Sequence, residues 1–578
     1  MNTNRRLETI ARGALLLGVL AVLPTPARAD NPIVQTNYTA DPAPMVHEGT
    51  LYLYTSHDED VTVNNFYTMN DWRLYSTEDM VNWTDHGSPA GLRTFTWGTD
   101  SAWAPQGIAR NGQFYLYVPL NNNTGSRIGV GVSDNVAGPF TDPLGRDLAQ
   151  SSTADIDPTV FIDDDGQAYM YWGNATLKYV RLNQDMISYS GTPTDVALSG
   201  FTEGPWFYKR GSLYYMVYAG MGGSTEKISY ATSNSPTGPW NTRGDIMGSG
   251  STFTNHAGVV DYKGHSYFFY HNSALPGGND FKRSVCVEEF SYGADGSIPQ
   301  LTMSAGGPDA VATLNPFRQV EAETIAFSSG LKTEDCDDSG GGLNVTQISA
   351  GDYIKVKNID FLDGVTSFEA RVSSSGNDAS IELHLDSRSG TLLGTCDVSG
   401  ASAWTTTTCP VSGGSGTHDL FLVFAGSADN LFKFNWWKFT GPTMPTDGGT
   451  GGAVGAGGDV DGIIGPVPAT GIEGSGVDGE TASASGGSGA GEAAMPGGSA
   501  GSDDGAGGGQ ASDGSPASAA EASGSKSQGG CSVAAHHTRG GGAVSLWLAA
   551  ACALHLGRRR RDARPCCTSS TGSCDRTS

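Results

Sequence analysis

An all-β chain, a five-bladed β-propeller followed by a β-sandwich of jelly-roll type, is the architecture that these 578 residues predict. Three observations carry it. A strand grammar recurs five times between residues 30 and 313. Alternating strands fill 318–440. From 441 to 530 there is no aromatic residue at all.

The repeat comes first, because a period of this length is the signature of a stacked or radial fold. Five segments begin with a short polar or proline-containing start, then run through an apolar strand, a glycine turn and an aromatic strand. They are Asp41-Pro42 to Ser56, Ala104-Pro105 to Leu120, Asp157-Pro158 to Asn174, Glu203-Gly204-Pro205 to Gly220, and His256-Ala257 to Asn272. The turn glycines are Gly49, Gly112, Gly166, Gly211 and Gly264. The second strands read YLYT, YLYV, YMYW, YMVY and YFFY, the composition of buried strands. A third strand follows each, as in Arg73-Leu-Tyr-Ser and Arg283-Ser-Val-Cys-Val. Five such units, spaced by about 46 to 63 residues, predict five blades. A β-sandwich with accidental similarity is the alternative, and the fivefold recurrence argues against it.

The flanks have their own chemistry. Arg5 and Arg6, the apolar run Ala14 to Leu23, and Ala27-Arg28-Ala29 predict an export signal over 1–29. The chain is therefore expected to be secreted or held at the cell surface, where disulfides are permitted. Residues 441–530 are dominated by Gly, Ser, Ala, Asp and Glu, a composition that cannot bury enough surface to fold. They read as a disordered acidic linker. Beyond it lie Cys531, an apolar run from Ala543 to Leu556 and the basic stretch Arg558 to Arg561. This ending, 531–578, resembles the myxobacterial type of C-terminal sorting tag. The net charge of −26 disfavours nucleic acid and anionic polysaccharides as partners, and leaves a neutral sugar polymer unaffected. None of the nine cysteines has zinc-site spacing.

In a propeller the first strand of each blade lines the axis. The equivalent leading residues Asp41, Ala104, Asp157, Glu203 and His256 should therefore converge. Carboxylates and an imidazole gathered by symmetry are expensive to bury, and such expense marks function. Two carboxylates flanking a glycosidic bond suffice for its hydrolysis, and a third can tune the acid. Trp103 and Trp206 flank two repeat starts and are candidates for stacking on sugar rings or for blade packing. His57 and Asp58 follow the first aromatic strand and read as a plain loop, with a position facing the pocket as the alternative. Asp163-Asp164-Asp165-Gly166 lacks a twelve-residue calcium loop and reads as a hairpin turn.

The motifs Thr39-Ala40-Asp41-Pro42, Asp155-Ile156-Asp157-Pro158 and Thr202-Glu203-Gly204-Pro205 resemble those of glycoside hydrolase family 43. The resemblance covers nearly all of 31–310. It implies inversion at the anomeric carbon, with Asp41 as general base, Glu203 as general acid and Asp157 as pKa modulator. It further implies Arg283 as a sugar contact and His256 on the axis beside a calcium ion or water. No organic cofactor is expected. Residues 318–440 resemble carbohydrate-binding module family 6 through Gln319-Val-Glu321-Ala-Glu323, Gly351-Asp-Tyr353, Ala403-Trp404, Thr417-His-Asp-Leu and Phe434-Asn-Trp-Trp. That resemblance implies Tyr353 and Trp404 as cleft aromatics with Asn430 as polar partner. It implies a structural calcium at Glu321 and Glu323, with Asn435 as a further ligand. Cys396 and Cys409 lie on strands close enough in sequence to be bonded, leaving Cys336 free.

Asn31-Pro-Ile-Val-Gln-Thr and Asn82-Trp-Thr-Asp-His-Gly are similar to stretches of the arabinoxylan arabinofuranohydrolase type within the family. The expected activity is release of α-L-arabinofuranosyl groups from plant cell-wall arabinoxylan, by a monomer targeted through a xylan-binding module. β-Xylosidase and endo-arabinanase are the alternatives within the family. A non-catalytic polysaccharide-binding surface protein is the alternative outside it, disfavoured by the complete set of Asp41, Asp157 and Glu203.

Overall fold

The computed structural model describes residues 27–442, apart from Ser375, Asn377, Ser399 and Ala401. Nearly all of the export segment 1–29, almost the whole linker and the tail 531–578 lie outside the described residues. The described chain is almost entirely strand, and its one helical element is a 3-10 turn at Leu92–Thr94.

Five antiparallel sheets follow one another from Tyr38 to Phe290, one for each predicted repeat. Their first strands are Tyr38–His47, Gln106–Arg110, Thr159–Ile162, Glu203–Arg210 and Gly258–Tyr262. The first strand of blade 1 packs on those of blades 2 and 5, and that of blade 3 on those of blades 2 and 4. The aromatic second strands form the blade cores. Tyr54, Tyr117, Tyr171, Tyr218 and Tyr270 are all buried on them. Blade 5 has only three strands of its own. Its free edge is met by the segment 31–39: Asn31 exchanges hydrogen bonds with Val287, Ile33 N–H donates to Val285 O, and Thr39 N–H donates to Arg283 O. This stitch closes the ring and anchors the chain just before Asp41.

The sandwich stacks a sheet of five strands on a sheet of six. Its strands alternate as the sequence predicts, with Phe368, Ala370 and Val372 of Val365–Ser374 turned into the core. Cys396 and Cys409 are bonded, with Cα atoms 5.3 Å apart. They sit on strands of different sheets, so the bond ties the two layers together. Cys336 is free, as expected.

The sandwich is not merely tethered to the propeller. Thr324–Ile325 pairs with Trp83–Asp85 and so extends the sheet of blade 1. Beside this pairing the buried Asn82 amide donates to Lys357 O at 2.8 Å and accepts Lys357 N–H at 2.8 Å. Thr333 Oγ1 donates to Asp85, and Lys357 Nζ lies 2.8 Å from Asp30. The stretch Asn82 to Gly87 is thus largely a docking strand. Removing the sandwich would uncover a sheet edge and leave the Asn82 amide without its partner. A chain of residues 30–313 is expected to melt at least about 5 °C below one of residues 30–442. Calorimetry on the two chains checks this, and equal melting temperatures would refute a structural role for the dock.

Candidate active site

The local backbone explains how the carboxylates reach the axis. Asp41 and Asp157 each precede a proline and adopt φ values of 53° and 57°. Gly204, also before a proline, has φ 58°. This left-handed conformation is costly for a residue with a Cβ and tends to persist at functional positions. In blades 1 and 4 the ladder skips at this point, between Ala40 and Ala43 and between Glu203 and Trp206. Such bulges re-aim a side chain away from the regular pleat. The equivalence of the three motifs is therefore shifted by one in blade 4. Gly204 occupies the strained position, and Glu203 supplies its longer side chain from one residue earlier. A Cβ on Gly204 would stand 2.7 Å from the His256 ring, so glycine is needed there on two counts.

The leading residues converge on His256, with the exception of Ala104. The imidazole Nδ1 lies 3.0 Å from Asp41 Oδ1, and Nε2 lies 3.6 Å from Glu203 Oε1 and 3.7 Å from Asp157 Oδ2. Burial would lower the pKa of this ring, but Asp41 and Asp157 outweigh it and hold it well above the ordinary value. Its Nε2 is buried without a hydrogen-bond partner, and Asp157, Glu203 and His256 stand close enough together to hold a metal ion.

Asp41 is held by cations and donors on every side. Arg283 Nη1 donates to its Oδ1 at 3.0 Å, and Ser56 Oγ donates to its Oδ2 at 2.5 Å. Its own N–H donates to His271 Nδ1 at 3.3 Å, while His271 Nε2 donates to Thr254 O at 2.8 Å. Burial would raise the Asp41 pKa; Arg283, His256 and His271 reverse this and hold it well below the carboxylate range. Burial and the Arg283 charge push His271 down to about 3, so it is a neutral ring with its tautomer set by these two bonds.

Arg283 is in turn gripped by Asp58. Its Nε and Nη2 donate to the two Asp58 oxygens at 2.9 and 3.0 Å, and its backbone N–H adds a third bond at 2.8 Å. Asp58 is 0 % exposed and ends the strand Thr50–Asp58. The loop expected at His57 and Asp58 is thus replaced by strand, because a buried arginine needs a second carboxylate. His57 bonds Asp71 at 2.6 Å.

Asp157 accepts Gly204 N–H at 3.0 Å, which links it to the residue after Glu203. Burial, with the charges of Glu203 and Asp41 and against that of His256, pushes Asp157 up to about 7. The folded state therefore binds this proton more tightly than the unfolded chain, whose value is about 3.9. The resulting stability is complete below about pH 4 and is lost as pH rises through about 7. Asp157→Asn removes that loss. Its melting temperature should gain on the parent protein between pH 4 and 7 and then keep a constant margin. Parallel melting curves across that window would refute the raised pKa.

Glu203 Oε2 accepts Asn174 Nδ2 at 2.5 Å. Close by, Glu226 is buried and accepts Asn255 N–H at 2.9 Å. Burial and the Glu203 charge raise its pKa well above the ordinary value.

The remaining expectations divide. Trp206 is buried in the packing of the blades, its Nε1 donating to Val259 O at 3.0 Å, and so is removed from the pocket surface. Trp103 packs against the same core, and its Nε1 is buried. The triple-aspartate turn is a hairpin whose Asp163 and Asp164 bind Lys209. In the sandwich, Tyr353 stands beside Phe327, Phe421 and Arg388 on the five-stranded sheet. Trp404 enters the six-stranded sheet and donates to Asp337 at 2.7 Å. Among the described residues no ring contact joins the two aromatics. Asn430 lies in the turn before Phe432–Thr440 with φ 55°. Glu323 is buried, its Oε2 has no partner, and burial with the Glu321 charge raises its pKa well above the ordinary value. An orphaned buried carboxylate beside a second acid fits a hard cation. The Nδ2 of the buried Asn435 donates to Asp338, which Arg371 chelates.

Ser56 and His271 were missed, and the repeat carries the signal for both. Each lies fifteen residues beyond its blade's leading residue, on the adjoining strand. Tyr67, Thr254 and Glu226 lie in or against loops, where no repeat position marks them.

A propeller axis with an acid and a base on opposite edges of one imidazole, and a third carboxylate beside them, is the site of a glycoside hydrolase. Residues 29–298 match Glycosyl hydrolases family 43, and residues 321–441 match the family 6 carbohydrate binding module. The arabinoxylan arabinofuranohydrolase of Bacillus subtilis (strain 168) is 34% identical over 477 residues, 71% of this chain and 92% of that one. The arabinoxylan arabinofuranohydrolase of Paenibacillus polymyxa is 32% identical over 486 residues, 72% of this chain and 75% of that one. The crystal structure of a family 43 arabinoxylan arabinofuranohydrolase from Bacillus subtilis, in complex with cellotetraose, superposes with a TM-score of 0.65 at 32% identity, covering 71% of this chain and 97% of that chain. The chain belongs to glycosyl hydrolase family 43.

Proposed function

We propose that the enzyme removes α-L-arabinofuranosyl side groups from arabinoxylan with inversion. The observation that carries this is the likeness to arabinoxylan arabinofuranohydrolases across both the propeller and the sandwich. The site geometry supports the chemistry. Glu203 protonates the departing oxygen, and Asp41, kept anionic by Arg283, takes a proton from the attacking water. Asp157 orients the Glu203 segment through the Gly204 amide. Inversion requires an acid and a base about 6.5–9.5 Å apart, which leaves room for the attacking water.

The enzyme acts as a secreted or surface-held monomer, exported through 1–29 and retained through the sorting segment 531–578. Glu321 and Glu323 hold a structural calcium ion, and the sandwich binds the xylan chain, with Tyr353, Trp404 and Asn430 as its contacts. Incubation with arabinoxylan, followed by NMR of the fresh product, tests the reading. β-L-Arabinofuranose should appear first and mutarotate afterwards. Release of xylose would instead assign a β-xylosidase, and an initial α-anomer would refute inversion.

A further inference from the structure

Two loops spring directly from pocket residues. One, residues 59–70, follows Asp58; the other, residues 273–282, precedes Arg283. They bring three rings together. Phe66 and Tyr67 have centroids 5.1 Å apart, Tyr67 and Phe281 4.9 Å, and Phe66 and Phe281 5.6 Å. Tyr67 belongs to the pocket wall. The Arg283 guanidinium lies 4.8 Å from its ring centroid, and its hydroxyl is 3.2 Å from Thr254 Oγ1. Phe66 and Phe281 continue this wall outwards and are both half-buried. Val61 and Val63 on the same loop are 79% and 61% exposed.

The hydrolytic step uses none of these four side chains. The rim is nevertheless held in place from the sandwich side. Lys332 pairs with Asp60 at 2.9 Å and lies 5.9 Å from the Tyr38 ring, and Lys282 lies 5.5 Å from the same ring.

We propose that Phe66 and Phe281 form an acceptor platform, on which a pyranose of the polymer main chain stacks while its side group occupies the pocket. The proposal rests on the arabinoxylan reading and deepens it. A pocket that closes over a side group must leave the main chain at its mouth. Partly exposed aromatic rings at such a place suit the apolar face of a neutral pyranose. The ring contacts run without a break from Arg283 through Tyr67 to this rim, so a chain lying there is in register with the bond to be cut. The acidic residues Glu59 and Asp60 beside it disfavour an anionic chain.

Phe66→Ala/Phe281→Ala, Phe281→Leu and Phe281→Trp, assayed on arabinoxylan and on a chromogenic arabinofuranoside, test the platform. The double variant should lose roughly tenfold more kcat/KM on the polymer than on the small glycoside, the factor that about 1.4 kcal/mol of ring contact represents. The difference should lie mainly in KM. Phe281→Trp should keep the parental ratio between the substrates, whereas Phe281→Leu should lower it. Equal losses on both substrates, or an unchanged ratio in the double variant, would overturn the proposal. The sugar released by the parent enzyme reports separately on the arabinoxylan reading.

Discussion

Glu203→Gln is expected to lower turnover of arabinoxylan by about 10²–10⁴-fold, the usual worth of a positioned general acid, while the fold persists. The substitution is nearly isosteric and keeps an oxygen to accept the Asn174 amide, which donates to Glu203 at 2.5 Å. What it removes is the transferable proton. A xylan hydroxyl is a poor leaving group and needs that proton as the bond breaks. A phenolate of low pKa does not. The deficit should therefore be large on the polymer and much smaller on an activated aryl arabinofuranoside. Kinetics on both substrates, with a melting curve as control, measure it. Near-normal activity on arabinoxylan would sink the acid assignment, and so would an equal loss on both substrates.

The axis was legible because the repeat places like residues at like heights. Asp41, Asp157, Glu203 and His256 needed only a strand grammar and the rule that first strands line the channel. The shift of one residue at Glu203 was not legible. It depends on Gly204, rather than the acid, taking the left-handed turn beside His256. Asp58 looked like loop because its neighbours are polar, and its burial follows from Arg283, which lies 225 residues away in sequence. No local pattern announces such a pairing. Trp206 was ambiguous for a related reason. An aromatic residue next to a catalytic motif serves a pocket or a blade core equally well, and the indole bond to Val259 decides between them. The dock between the two modules was hidden inside an apparently ordinary blade strand. Asn82, Thr84 and Asp85 are polar residues that a surface strand would carry anyway. Only the facing strand Thr324–Ile325 and the Lys357 backbone reveal that they face the sandwich.

Arg283→Met should be the most damaging single change to both stability and activity. Arg283 is buried and lies between two buried carboxylates, 3.0 Å from Asp41 and 2.9 Å from Asp58. Its loss leaves Asp58 without a cation and Asp41 with only His256 and Ser56 beside it, and breaking a buried pair in this way costs about 3–5 kcal/mol. In a propeller of this size that corresponds to a fall in melting temperature of about 10 °C. Lysine should not rescue it, because one ammonium cannot reproduce the fork that grips Asp58 while reaching Asp41. Adding Asp58→Asn to Arg283→Met neutralises one of the stranded charges, so the double variant should regain part of the lost stability. It should not regain activity. Arg283, with His256 and His271, holds the Asp41 pKa down, and without it Asp41 takes up a proton at higher pH. The acidic limb of the kcat/KM profile should therefore move upwards in both variants. Residual turnover at high pH gives that limb its measurement. A parental melting temperature in Arg283→Met, or an acidic limb that stays in place, would show that Asp41 does not depend on this arginine.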